Sequence, residues 1–236
     1  MISENVAKIQ QRIAGACQRS GRSRSDVTLT AVSKTFPASA VSQAVDAGIM
    51  DIGENYVQEL LQKRESVQRA GLRWHFIGHL QSNKVRQVAE WIHLVHALES
   101  LSLAKELDRR AAQANRVIGV LVEVNTTGES SKFGIAPAET LSFIRSLRGF
   151  DHLLISGLMT IGPFLPDPEA SRPMFRTLRQ LKEECSGIDQ GNVRMQHLSM
   201  GMTGDFEVAI EEGATIVRIG TALFGARTRQ DSSPHP

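Results

Sequence analysis

The residue types that could do chemistry in this chain gather behind strand-like runs, and Lys34 is the first of them. It stands near the end of VTLTAVSKT, Val27 to Thr35. Taken alone, a lysine at a strand end reads as solvated, because an ammonium is costly to bury. Two later stretches change that reading. SMGMTGD, Ser199 to Asp205, offers two glycines for close backbone approach, the hydroxyls of Ser199 and Thr203, and a helix start whose free N–H groups suit an anion. RIGTALFG, Arg218 to Gly225, sets Gly220 and Thr221 in a similar place. Each stretch by itself is an ordinary glycine turn with a capping threonine. Together they suit a phosphate. A lysine beside them then serves either as a phosphate counter-charge or as a Schiff-base amine for a phosphorylated carbonyl compound.

The elements that must position these residues alternate along the chain. Val27, Leu29 and Ala31 fall on one face of a period-two strand, with Thr28, Thr30, Val32 and Lys34 on the other. A helix precedes it, with Val6, Ile9 and Ile13 at helical spacing and Gly21 as its stop. Further strands are predicted over IMDIGENY, Leu72 to Gly78, Ile92 to His96, VIGVLVEVN, Leu153 to Thr160, MQHLSM and TIVRIG, each separated by a helical stretch. One of those helices is expected from about Ser82 to Glu90. Eight strands with short connections and no break in composition favour a single closed (β/α)8 TIM barrel; an open doubly wound sheet is the alternative. A GxGxxG run after the first strand would have favoured the open sheet, and that position lacks one. In such a barrel the loops after strands seven and eight frequently hold phosphate. Strand one closes the ring beside strand eight, which brings Lys34 to the same place. The leading helix would pack on the outside or the floor.

Bulk composition narrows the partners. The 236 residues are 41% hydrophobic and 22% charged, which suits one sizeable domain. The barrel is expected over residues 1–227, with a disordered tail over 228–236. Net charge is +2, from 27 basic and 25 acidic residues spread along the chain, so neither a nucleic-acid stripe nor a polybasic membrane patch is indicated. Cys17 and Cys185 have no CxxC or histidine spacing and read as buried or half-buried thiols. MISENVAKIQ is not a leader-like segment, and no apolar run approaches a bilayer span, so a cytoplasmic, reducing setting is expected. His75, His93 and His96 lack metal-binding spacing and read as satisfied or exposed.

Several stretches carry a resemblance. AVSKT around Lys34, DIGENYVQE from Asp51, WHFIGHLQSNK from Trp74, KFGI at Lys132, GLMTIG from Gly157, HLSMGMTGDFEVAIEEGATIVRIG from His197 and LFG at Leu223 resemble the YggS/PROSC family of pyridoxal phosphate homeostasis proteins. That family is similar to the N-terminal barrel of alanine racemase. The resemblance implies a fold-type III barrel with pyridoxal 5′-phosphate (PLP) held as a Schiff base on Lys34. It implies Ser199, Met202, Thr203, Gly220 and Thr221 around the phosphate, Asn55 and Met159 along the ring, and Arg218 facing the pyridine nitrogen. A guanidinium there disfavours protonation of that nitrogen and restrains carbanion chemistry.

Racemisation needs a base on each face of the reacting carbon. The similar racemases take the second, a tyrosine, from a second domain, and the only tyrosine here is Tyr56, after strand two. The expected role is therefore a PLP-binding protein of vitamin B6 and amino-acid homeostasis, a monomer whose partners include apo PLP-dependent enzymes. The alternatives are a PLP-dependent enzyme with weak racemase-type activity, a Schiff-base aldolase for sugar phosphates, and an interaction module without a small ligand.

Overall fold

Period-two apolar runs become eight strands, and in the computed structural model they close into one parallel barrel in sequence order. Residues 1–129, 133–163, 165–189 and 191–226 are described; Lys132 of the KFGI run and the tail over 228–236 lie outside them. The strands are β1 (Thr28–Val32), β2 (Asp51–Glu54), β3 (Arg73–Phe76), β4 (Leu94–Leu98), β5 (Ile118–Glu123), β6 (Leu153–Met159), β7 (Val193–Ser199) and β8 (Ile216–Ile219). Thr30 pairs opposite Arg218 and Ala31 opposite Ile219, and this parallel β1–β8 ladder closes the ring. The closed barrel therefore stands and the open sheet falls away.

The leading helix α1 (Ile2–Arg19) buries Val6, Ile9, Ile13, Ala16 and Cys17, a stripe at spacings of three and four. Helices α2 (Ala38–Asp46), α3 (Val57–Ser66), α4 (Leu101–Gln113), α5 (Thr140–Ser146), α6 (Arg172–Cys185) and α7 (Phe206–Glu211) return the chain between strands. Among the described residues, β8 is followed only by the four-residue α8 (Thr221–Phe224). On the barrel's outside, α1 packs against α2, α7 and α8 and covers the flank that so short a last helix leaves bare. Asn5 Nδ2 donates to the Leu223 carbonyl at 3.0 Å, and Arg22 Nη1 donates to the carbonyls of Ile210 and Ala214, both at 2.8 Å.

Around the approach to β4, two elements differ from expectation. Where a helix is expected from about Ser82 to Glu90, Ser82 to Gln87 winds as a shorter 3-10 helix. A 3-10 turn advances about 2.0 Å per residue against about 1.5 Å for an α-helix, so six residues span more of the path to β4. β4 itself begins at Leu94, two residues later than expected, because Ile92 is taken up in the preceding turn through its N–H to Val88.

Apolar residues form two layers. The larger lies between strands and helices, and a smaller cluster of Leu94, Ala97, Leu121, Met159 and Ile216 fills part of the interior. The rest of the interior is polar: Thr30, Asp51, His75, His96, Ser199 and Arg218 are all buried. At Gly157 the β6 backbone has φ +153°, and the registers against β5 and β7 both shift nearby. A Cβ there would sit 2.0 Å from the His197 carbonyl oxygen, so only glycine lets β6 and β7 meet. Cys17 and Cys185 are buried free thiols. Among the described residues no helix is long and apolar enough to cross a membrane.

Candidate functional site

A cavity of about 270 Å³ opens at the C-terminal ends of the strands, close to the usual range of about 300–1,000 Å³ for small-molecule sites. Its wall is built mainly from the segments after β1, β2, β6, β7 and β8.

β1 ends at Val32, and Lys34 stands in the turn beyond it, half-buried against the cavity. Its two neighbours are clamped. Lys63 Nζ donates to the Ser33 carbonyl at 2.7 Å, to Glu54 at 2.6 Å and to Glu59 at 2.8 Å. Ser33 Oγ donates to the same Glu54 oxygen, and the Thr35 N–H donates to Glu59 Oε2 at 2.8 Å. Thr35 has φ +69°, a left-handed conformation that a β-branched residue avoids unless its surroundings impose it. The clamp imposes it, and so fixes where Lys34 leaves the backbone. Burial raises the Glu54 pKa, with Lys63 and Ser33 opposing that shift.

The loops after β7 and β8 are tied together. Arg218 N–H donates to the Gly201 carbonyl at 3.0 Å, and Thr203 Oγ1 accepts from Ala222 N–H at 3.3 Å. Asp205 Oδ1 accepts the Met202 N–H at 2.7 Å and curls the first loop. Gly201 has φ +89°, and a Cβ there would stand 2.5 Å from the Ala209 methyl, so the sharp turn needs glycine.

Arg218 is buried and lines the cavity. Its Nη1 donates to Ser199 Oγ at 2.6 Å and its Nη2 to the Thr160 carbonyl at 2.8 Å. Burial pushes its pKa down to about 10, against the opposing charges of Glu123 and Asp205, so it remains a cation at neutral pH. Asn55 Oδ1, also at the cavity, is buried without a hydrogen-bond partner among the described residues. An orphaned acceptor beside an amine and a fixed guanidinium marks a place for a polar ligand.

A family model described as alanine racemase, N-terminal domain, matches residues 2–228. A pyridoxal phosphate homeostasis protein of Aquifex aeolicus is 45% identical over 224 residues, 95% of this chain and 97% of that protein. The chain belongs to the pyridoxal phosphate homeostasis protein family. PipY of Synechococcus elongatus, in a structure with PLP bound, is 34% identical with a TM-score of 0.82, over 95% of this chain and 100% of that one. Alanine racemase of Clostridium difficile shares the fold at 15% identity and a TM-score of 0.69, over 97% of this chain and 58% of the racemase.

Of the positions that resemblance to the family selects, Lys34, Asn55, Met202, Thr203, Arg218, Gly220 and Thr221 meet at this one cavity. Ser199 and Met159 do not line it. Ser199 stands one hydrogen bond behind Arg218, and Met159 belongs to the apolar interior. Tyr56 is 49% exposed and also lies outside the cavity wall.

Sequence reading missed the family member's buried polar set. Behind Ser199, His96 Nδ1 lies 2.9 Å from its Oγ, and His96 Nε2 lies 2.9 Å from His75 Nδ1. His75 Nε2 lies 2.9 Å from Asp51 Oδ1, and Arg73 grips Asp51 through Nε at 2.7 Å and Nη2 at 2.6 Å. Apart from Arg73 and His75, which share β3, these residues sit on separate strands, and no local spacing links one strand's member to the next. His75 in β3 and His96 in β4, each between apolar strand residues, were the available signal, and it marks only a strand face. Glu123, at the end of β5, was missed as well. Burial and then the charge of Glu99 raise its pKa to about 7, with Arg218 opposing.

Proposed function

We propose that this chain binds PLP as a Schiff base on Lys34 and serves intracellular vitamin B6 and amino-acid homeostasis. The observation that carries the reading is the meeting of Lys34, Arg218, Asn55 and the two tied glycine loops at one cavity. The chemistry of this donor set fits PLP: an amine for the aldehyde, backbone-rich loops for the phosphate, and polar groups for the ring. Bound PLP supplies an electrophilic aldehyde and an electron-accepting ring. The clamp on Ser33 and Thr35 orients the Lys34 amine. Met202, Thr203, Gly220 and Thr221 would hold the phosphate. Arg218 would face the pyridine nitrogen as a cation and keep it unprotonated, which restrains carbanion formation and favours storage over turnover. Exposed Tyr56, Phe133 and Ile161, on loops that follow strands, would offer apolar contacts to apo PLP-dependent enzymes that receive the cofactor.

The test is a visible absorption titration of the purified chain with PLP, followed by borohydride reduction and peptide mapping. A band trapped by reduction on Lys34 is the expected result; scattered trapping on surface lysines overturns the proposal. Incubating the loaded protein with single enantiomers of alanine separates a carrier from a weak racemase. Enantiomer conversion that vanishes in Lys34→Ala would assign the racemase-type activity.

A further inference from the structure

We propose that Asp51, His75, His96 and Ser199 form a one-way donor relay that runs through the barrel and fixes the place and charge of Arg218 at the cavity. Asp51 and His75 are then positioning residues of a site that opens at the other end of the strands. The relay stands on the chain's own geometry; its consequence for PLP rests on the function proposed above.

The direction follows from counting hydrogens. Asp51, gripped by Arg73, is a carboxylate and can only accept, so His75 donates from Nε2. A neutral His75 then has a bare Nδ1, which accepts from His96 Nε2. His96 in turn has a bare Nδ1 and accepts the Ser199 hydroxyl hydrogen. The Ser199 oxygen is left to accept from Arg218 Nη1. Every step from Arg218 to Asp51 is donor to acceptor, with both rings neutral. The opposite arrangement makes His75 an imidazolium that donates to both Asp51 and His96. His96 would then donate to Ser199, whose oxygen already accepts from Arg218. The Ser199 hydroxyl hydrogen would have no acceptor among the described residues. That arrangement also puts a second cation in the interior that holds Arg218.

Charged and titratable groups around the rings agree with the neutral arrangement. Arg73 on β3, His93 just before β4 with its ring 5.2 Å from that of His75, His197 on β7 and Arg218 on β8 all disfavour another positive charge. Asp51 on β2, Glu123 on β5 and Asp205 after β7 are the acids that face this set. His96 is held well below the ordinary histidine value, by burial first and then by the positive charge that His75, Arg218, His197 and His93 carry or would carry.

The experiment is long-range proton–nitrogen NMR on the full chain labelled with ¹⁵N-histidine, without PLP. At neutral pH, His75 and His96 should both show hydrogen on Nε2 and a bare Nδ1. Hydrogen on Nδ1 of either ring, or an imidazolium, overturns the relay. A second arm uses Asp51→Ala, which removes the terminal acceptor. His75 should then redistribute between tautomers, PLP should bind on the order of tenfold more weakly, and the visible band should change its pH profile. Lower stability with unchanged tautomers and an unchanged band overturns the positioning role. The wild-type spectrum judges the relay even where the variant fails to fold. Failure of the wild-type chain to bind PLP would remove the proposed function and leave the relay to be judged by its rings.

Discussion

Glu123 gives the residue scale its sharpest consequence. Its carboxyl is raised from the ordinary 4.5 to about 7, so between those values the folded chain binds a proton that the unfolded chain has released. Stability from this residue is therefore full below the lower value and falls as pH rises through the upper one, by at most about 3 kcal/mol. Glu123→Gln should flatten the pH dependence of urea midpoints between about pH 5 and pH 8 and stabilise the chain at the alkaline end. A variant that follows the parent curve across that range would show that the residue does not carry the effect. Asp51 acts in the opposite sense. Burial alone would raise its pKa, yet hydrogen bonds from His75 and Arg73 bring it down to about 2, so its contribution is present above the ordinary value of 3.8 and is lost in strong acid. Single residues were unevenly legible in the sequence. Lys34, Thr203 and Thr221 stand beside glycines or at a strand end, where local sequence carries the signal. Glu123, His75 and Asp51 owe their roles to partners on other strands, which only barrel closure supplies.

Elements were legible where period-two runs and glycine stops coincide, as in β5 and β6, and less so where a turn competes, as at Ser82 to Gln87. The β1 turn shows what the pattern cannot carry. Val27 to Thr35 reads as one strand, but the ladder ends at Val32 because Lys63, on α3, draws the Ser33 carbonyl and two glutamates around the turn. Lys63 is 6% exposed at its side chain, so Lys63→Met leaves Glu54 and Glu59 without their cation at a cost of about 3–5 kcal/mol. Adding Glu54→Gln should recover part of that loss in chemical denaturation, since the buried acid goes with its partner. Equal instability of the single and double variants would count against the clamp. In β6, Gly157→Ala drives a methyl into the His197 carbonyl and should cost about 2–4 kcal/mol, read as a lower melting temperature with faster amide exchange in β6 and β7.

At the scale of the molecule, α1 takes the place that a long helix after β8 would otherwise fill. The sequence showed its apolar stripe but not its seat, because the reason for that seat, a helix of four residues after β8 among the described residues, lies far along the chain. Ile13 is fully buried in that seat, and Ile13→Ala should lower stability by about 2–5 kcal/mol. Amide exchange should rise first in β1 and β8, where the ring closes; a uniform rise across all strands would argue against α1 as the local support. The same seam separates the two halves of the cavity, with Lys34 on one side and Arg218, Gly220 and Thr221 on the other. This has a consequence during synthesis. A ribosome releases Lys34 long before β8 exists, so the nascent chain carries the amine without the loops and guanidinium that would give it a pocket. Only when the last strand emerges can the ring shut, and the cofactor pocket is among the last features of the protein to come into being.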